Sequence, residues 1–360
     1  MQTTFTSTDH RPESARGTTR RELLKGALAA GAATLLSGGK GMAQAPGGAT
    51  RRFDLHHHFA SPGLLKLMAE KKMSGYQTWN GYSPAKAVED MDKGGVQTSF
   101  AGVTTPGIWF GDAAETKALA REVNEYGARM VSDYPGRFGL FAVLPLPNVN
   151  DSLKEIEYAF DTLKADGVGL LSSYSDKWHG DPAFAEVFHE LNRRKTIVYT
   201  HAQVPDCCQN LATGIGDITV EYNTDTARTI ISMIANKRSL ECPDATFIYS
   251  HAGGTILALP GRFLGGEATR ANLAKKADPT SKLGQLRRFY YDTAGSTNPI
   301  QMRALKDLMG MSQIVFGTDF PFGHSAGIAA GIVESGVFTP EELKLIDRGN
   351  ALKFLPSKYA

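Results

Sequence analysis

Phe53-Asp54-Leu55-His56-His57-His58 is a short apolar run that ends in three imidazoles. Side chains alternate along a strand. His56 and His58 therefore share one face, and His57 takes the other as a packing residue. Two imidazoles two residues apart on one face can chelate a divalent ion through bonds of about 2.0–2.1 Å. Taken alone, such a pair is more often a polar strand end or a surface cluster. Its meaning depends on what the rest of the chain brings beside it.

Seven further β-branched or apolar runs follow: Val96–Val103, Arg137–Val143, Gly167–Leu171, Thr196–Thr200, Thr246–Ser250, Arg288–Asp292 and Gln313–Phe316. Amphipathic stretches separate them. Asp151–Phe160 carries apolar groups at helical spacing with Asp151 as N-cap, and Pro182–Arg193 and Pro299–Met309 each place Pro in a first turn. Eight strands alternating with helices predict an α/β fold, a (β/α)8 TIM barrel. A doubly wound sheet is the competing architecture, but no Gly-rich phosphate loop follows the first strand. Residues 202–222 and 261–285 read as long insertions after the fifth and sixth strands, where barrel loops shape the site.

The strand ends carry the chemistry. His201 closes the fifth strand and His251 the sixth, and Asp319 follows the eighth in Phe316-Gly-Thr-Asp-Phe-Pro-Phe322. Four of the eight strands thus end in His or Asp at the face where barrel active sites are built, although the chain has only nine histidines. His56, His58, His201 and Asp319 supply three nitrogens and one carboxylate, leaving an open position for water or substrate. Such a set leaves net positive charge on the ion, enough to polarise an oxygen. Zinc suits these donors, and manganese or iron is tolerated by them. His251 is then a general acid/base, its ordinary pKa lying near neutrality. Asp319 is a ligand, a base or both.

Composition removes other classes. The 360 residues are 42% hydrophobic and 21% charged, ordinary globular values. The net charge of +2 is too small for a typical nucleic-acid binder. Three cysteines, Cys207, Cys208 and Cys242, cannot form a disulfide framework. No apolar run reaches the roughly 18 residues of a membrane span. Residues 1–45 read as an address. Arg20-Arg21 opens a basic region, Gly26–Leu36 is mildly apolar, and Ala43-Gln44-Ala45 fits small-x-small cleavage. The order resembles a twin-arginine (Tat) signal peptide and predicts export to the periplasm. Residues 46–360 are then the barrel domain.

Several landmarks in order resemble the amidohydrolase superfamily, in its branch of aminocarboxymuconate-semialdehyde decarboxylase-like proteins. They are Asp54–His58, Met91-Asp-Lys-Gly-Gly-Val96, Pro135-Gly-Arg-Phe138, Leu144-Pro-Leu146, His251-Ala-Gly-Gly254 with Pro260-Gly-Arg262, Tyr291-Asp-Thr-Ala294, Gly317–Phe322 and Gly349-Asn-Ala351. Within that branch, Asn124-Glu-Tyr126, Arg137–Ala142, Ala165-Asp-Gly-Val168 and Glu190–Arg194 are most similar to the 6-methylsalicylate decarboxylase group. The resemblance implies a barrel of the metal-dependent hydrolase type. It implies His56, His58, His201 and Asp319 on one divalent ion, His251 handling protons, and Arg262 and Phe322 lining the substrate. It also implies a homodimer. The fourth strand ends Leu171-Ser172-Ser173 with no lysine, where binuclear members carry a carboxylated lysine, so one ion is expected. The arginine that precedes Met-Asp in the aminocarboxymuconate enzyme is missing from Ser83–Met91, which favours a monocarboxylate.

The expected activity is metal-dependent, nonoxidative decarboxylation of a hydroxybenzoate-type acid such as 6-methylsalicylate, making the chain a carboxy-lyase acting on a small aromatic carboxylic acid. Trp109, Tyr174 and Trp178 could form an aromatic wall around it. The alternatives are hydrolysis of a lactone or amide by the same centre, and a non-catalytic binder on a barrel scaffold.

Overall fold

The computed structural model describes residues 51–211 and 213–359. The twin-arginine segment lies outside them. Eight strands form one parallel sheet in sequence order: β1 (Arg52–His58), β2 (Val96–Gly102), β3 (Phe138–Val143), β4 (Gly167–Leu171), β5 (Ile197–His201), β6 (Thr246–Tyr249), β7 (Tyr290–Asp292) and β8 (Ile314–Val315). The segment after β8 returns to β1. Leu55 N donates to Phe316 O at 3.0 Å and His58 N to Phe320 O at 2.9 Å, and His57 bridges Phe320 in parallel sense. The expected α/β (β/α)8 barrel is the observed fold, and each expected strand is found within two residues of its predicted ends.

Helices cover the outside: α1 (Pro84–Lys93), α2 (Ala113–Asp133), α3 (Val149–Asp161), α4 (Ala185–Arg193), α5 (Ile218–Ala235), α6 (Pro299–Met309) and α7 (Ser325–Glu334). α3 starts earlier than its charge pattern suggested. Asn148, not Asp151, is the N-cap; its side chain accepts from Asp151 N at 3.1 Å. Asp151 instead sits in the first turn, where an acid favours the helix dipole. Pro182 opens a 3₁₀ turn, Pro182–Phe184, and the α-helix proper begins at Ala185.

Two packed layers hold the barrel. Inside, Phe53, Leu55, Phe100, Phe141, Ile197, Tyr199, Ile248 and Val315 cluster together and are capped by Ala351, Leu355 and Tyr359 from the C-terminal segment. Phe141 stacks on Tyr199 at 5.6 Å. Gly167 leaves room for this: a Cβ there would lie 2.5 Å from Ile197 O and 3.0 Å from the Phe141 ring. The second layer joins the outer faces of the strands to the helices, with Val168, Leu170, Val198, Phe247 and Tyr249 meeting Phe188, Ile230 and Leu305. No helix among the described residues is long and apolar enough to cross a membrane.

Candidate metal centre and active site

A β-bulge aims the first two ligands. Asp54 pairs with Ser99 and His57 with Ala101, so Leu55 and His56 together oppose the single residue Phe100. Both members of such a pair can face the same side of the sheet. Leu55 therefore packs in the interior while His56 and His58 also turn inward, their Nε2 atoms 3.1 Å apart. His57 faces outward, stacked on Phe320 at 4.9 Å, as expected of a packing residue.

The four predicted donors converge. His56, His58, His201 and Asp319 each offer one atom, and these atoms all lie within 4.8 Å of one another. Asp319 Oδ1 is 3.0 Å from His58 Nε2 and 3.2 Å from His56 Nε2. Ligands on bonds of about 2.0 Å at tetrahedral angles stand about 3.3 Å apart, so the spacing fits a small divalent ion. The tautomers fit as well. His56 Nδ1 donates to Asp292 Oδ2 at 2.9 Å, His58 Nδ1 to Gly102 O at 3.2 Å and His201 Nδ1 to Ala202 O at 2.6 Å. All three Nδ1 protons are thus engaged, which leaves the Nε2 lone pairs for a metal. It is the one such donor group among the described residues.

Charge in the site points the same way. Burial opposes a proton on His56, but Asp292 and Asp319 outweigh it and push the imidazole up to about 10. Burial lowers His58, and burial with its imidazole neighbours holds His201 well below the usual range. Burial opposes charge on Asp319, yet the pull of His56 and the hydrogen bonds from His56 and His58 keep its carboxyl well below the usual value. The site therefore holds one positive charge in a cage of carboxylates and neutral imidazoles. A divalent ion takes the place of that proton.

His251 stands beside this cage, its ring 5.0 Å from that of His56 and 5.8 Å from that of His201. Nδ1 donates to Ala294 O at 3.0 Å, and Nε2 is buried with no hydrogen-bond partner. That leaves a bare lone pair for a proton. Backbone strain sets its position: His251 and Ala252 adopt left-handed φ values of 53° and 58°. The turn continues through Gly254, where a Cβ would lie 2.0 Å from Asn223 O of α5. Asp319 is also left-handed, at φ 63°.

The other expected residues divide. Phe322 is 48% exposed, its ring centre 6.1 Å from that of His58 in an edge-on arrangement. Arg262 is exposed on the short helix Pro260–Phe263 and forms no ion pair among the described residues. Trp178 belongs to no wall: its Nε1 donates to buried Asp225 at 2.6 Å, beside Ser172 and Ser173. Trp109 and Tyr174 do line a cavity, of about 320 Å³. Cys207 is exposed and Cys208 half-buried, between the cavity residues Asp206 and Gln209, so the pair lies outside the core.

Three contributors escaped the sequence reading. Asp292 anchors His56. Thr104 Oγ1 stands 3.2 Å from His201 Nε2, against the edge of that ring. Asp54 accepts from Thr318 Oγ1 at 2.7 Å, Thr318 N at 3.0 Å, His56 N at 3.1 Å and His57 Nδ1 at 3.0 Å, and so clasps β1 to the returning segment. Asp292 lay in a quoted landmark, and its position at the end of β7 was the available signal.

The profile of the amidohydrolase family matches residues 53–356. The chain belongs to the amidohydrolase family. The 6-methylsalicylic acid decarboxylase of Penicillium expansum is 32% identical over 318 residues, covering 85% of this chain and 96% of its own. Among solved structures, 2,6-dihydroxybenzoate decarboxylase complexed with 2,6-dihydroxybenzoate superposes with a TM-score of 0.74 at 19% identity, over 85% of this chain and 99% of its own. A dihydroxybenzoic acid decarboxylase from Polaromonas sp. JS666, with bound manganese and the inhibitor 2-nitroresorcinol, gives a TM-score of 0.73 at 19% identity, over 85% of this chain and 96% of its own. These two share the fold. With this family, these relatives and this donor set, the chain is a metal-dependent decarboxylase of the amidohydrolase superfamily.

Proposed function

We propose that the protein removes carbon dioxide, without oxidation, from a hydroxybenzoate-type acid such as 6-methylsalicylate. The observation that carries the reading is the convergence of donors: His56 and His58 turn Nε2 toward Asp319 Oδ1, a ligand atom of His201 lies within 4.8 Å of these, and His251 keeps its own Nε2 free beside them. The 32% identity to the Penicillium expansum decarboxylase supports the substrate class.

His56, His58, His201 and Asp319 would hold the ion. When bound, it supplies positive charge for a carboxylate oxygen and the neighbouring phenolic oxygen. His251 delivers a proton from Nε2 to the ring carbon that bears the carboxylate, its Nδ1–H remaining on Ala294 O. The ring loses aromaticity for that moment. The carbon–carbon bond then breaks, its electron pair restores the ring, and carbon dioxide leaves. Phe322 shields the mouth against His58, and Arg262 offers a cation to the substrate from the rim. Zinc is the proposed ion, with manganese as its competitor because the Polaromonas protein binds it.

The test is carbon dioxide release from 6-methylsalicylate, salicylate and 2,6-dihydroxybenzoate by protein loaded with zinc or with manganese. Release from at least one acid is expected. Silence on all three, with turnover of aromatic lactones or amides instead, would replace decarboxylation by hydrolysis. The homodimer and the export through the Tat route belong to the same proposal. Light scattering of the purified protein tests the first, and a fusion of residues 1–45 to a Tat-dependent reporter tests the second.

A further inference from the structure

Cys207 and Cys208 are consecutive, and the proposed reaction makes no use of either. They sit on a 3₁₀ turn, Asp206–Cys208, in the segment that leaves His201 at the end of β5 and leads to α5. Consecutive side chains on a helical turn do not normally face each other. Here the two Sγ atoms meet at 2.7 Å. Cys207 is exposed and Cys208 half-buried, so a reagent in water reaches the pair. The third thiol, Cys242, is buried, with Sγ donating to Phe188 O at 3.5 Å, and is shielded from such a reagent.

The turn is pinned at two points. Cys207 N donates to Asp176 Oδ1 at 3.0 Å, and Cys208 N donates to Pro205 O at 3.0 Å. Asp206 and Gln209, which flank the pair, line the cavity of about 320 Å³, as do Gln203 and Val204 of the same segment. A change in the turn is therefore a change in the wall of that cavity. A structural staple is excluded by chain statistics. A cross-link between neighbours closes no loop, so it takes almost no entropy from the unfolded chain.

We propose that Cys207 and Cys208 form a reversible disulfide by exchange with a small-molecule disulfide, and that this bond resets the cavity wall. One thiolate of the pair attacks the reagent's S–S bond, giving a mixed disulfide and one free thiol. The second thiolate attacks the protein sulfur of that mixed disulfide, closes the ring and releases the second thiol. The pair gives up two protons and two electrons, and the reagent leaves with both as two thiols. Closure asks the sulfurs to approach by about 0.7 Å more, to the usual length of about 2.05 Å. The backbone resists. Neighbouring Cα atoms stand about 3.8 Å apart across one peptide, short of the roughly 4.4–6.8 Å that disulfides prefer. The ring therefore distorts the peptide between the two cysteines, draws Cys208 N away from Pro205 O and shifts Gln209. The same distortion makes the bond easy to reduce.

Mass spectrometry of the metal-loaded protein treated with oxidised glutathione tests this without reference to turnover. The hydrogen bond with Cys208, then burial and Asp176, push the Cys207 thiol up to about 12, so the exchange is run in mild alkali. The tryptic peptide 196–228, which holds both cysteines, should lose two hydrogens and retain no glutathione. Dithiothreitol should restore it. Cys207→Ser and Cys208→Ser, both outside the core, should instead each retain one glutathione. Hydrogen exchange at Cys208 N should quicken by about 5-fold on oxidation, as its bond to Pro205 O is lost. A peptide that retains two glutathiones, that joins a second chain, or that does not react overturns the disulfide. Loss of two hydrogens with unchanged exchange across residues 203–209 overturns its effect on the cavity wall.

Discussion

Asp292 Oδ2 accepts a hydrogen bond from His56 Nδ1 at 2.9 Å, with both side chains shielded from solvent. The same carboxylate takes the Tyr199 hydroxyl at 3.3 Å and the backbone N–H groups of His251 and Ala294, each at 3.0 Å. One residue thus orients an imidazole of the metal centre and also positions the backbone of His251, the proposed proton donor.

Asp292→Asn keeps an acceptor but removes the charge that fixes the His56 tautomer. Metal affinity should fall about 10- to 100-fold, as for other partners of metal-bound imidazoles. Competition against a chromogenic chelator measures it. Unchanged affinity would show that His56 needs no such anchor.

His251→Gln should retain its metal and lose turnover by about 10²- to 10⁴-fold, the usual worth of a general acid/base. Elemental analysis beside carbon dioxide release reads both quantities. Loss of metal together with activity would make His251 a ligand and sink the assigned role.

Asp54→Ala removes a fully buried carboxylate and strands the Thr318 and His57 donors. A cost of roughly 3–5 kcal/mol is expected from breaking such a buried charged network. Urea unfolding measures it; a change below about 1 kcal/mol would mean the clasp is incidental.

His179 gives the pH dependence of stability. It is fully buried, with Nε2 donating to Leu171 O at 2.7 Å, and burial pushes its pKa down to about 4 from the ordinary 6.5. Between those values the unfolded chain binds a proton that the folded chain refuses, so stability is full above 6.5 and falls as pH drops toward 4. By pH 5 the loss is on the order of 2 kcal/mol. In His179→Gln that component disappears. Urea midpoints at pH 7.5 and pH 5 should therefore lie closer together in the variant, and an equal gap would falsify the assignment.

The strand ends were legible because imidazoles and carboxylates interrupt apolar runs there. Alternation correctly set His56 and His58 on one face. It did not show that Leu55 shares that face, because the bulge opposite Phe100 depends on pairing between strands. Asp54 and Asp292 read as ordinary strand acids for the same reason: their meaning comes from Thr318 and His56, which are 264 and 236 residues away in the chain. Asn148 rather than Asp151 capped α3 because the cap depends on where the backbone turns, and both residues suit the role by type. Trp178 was misassigned because nothing near it announces the buried Asp225.

The clasp between Asp54 and Thr318 carries a consequence for synthesis. Two of the metal's imidazoles leave the ribosome among the first of the barrel's residues, and the aspartate among the last. A polypeptide cut short before Thr318 can neither seal the cylinder nor complete the ion's coordination. Metal capture therefore waits until Thr318 and Asp319 have both been made, long after the two imidazoles of β1.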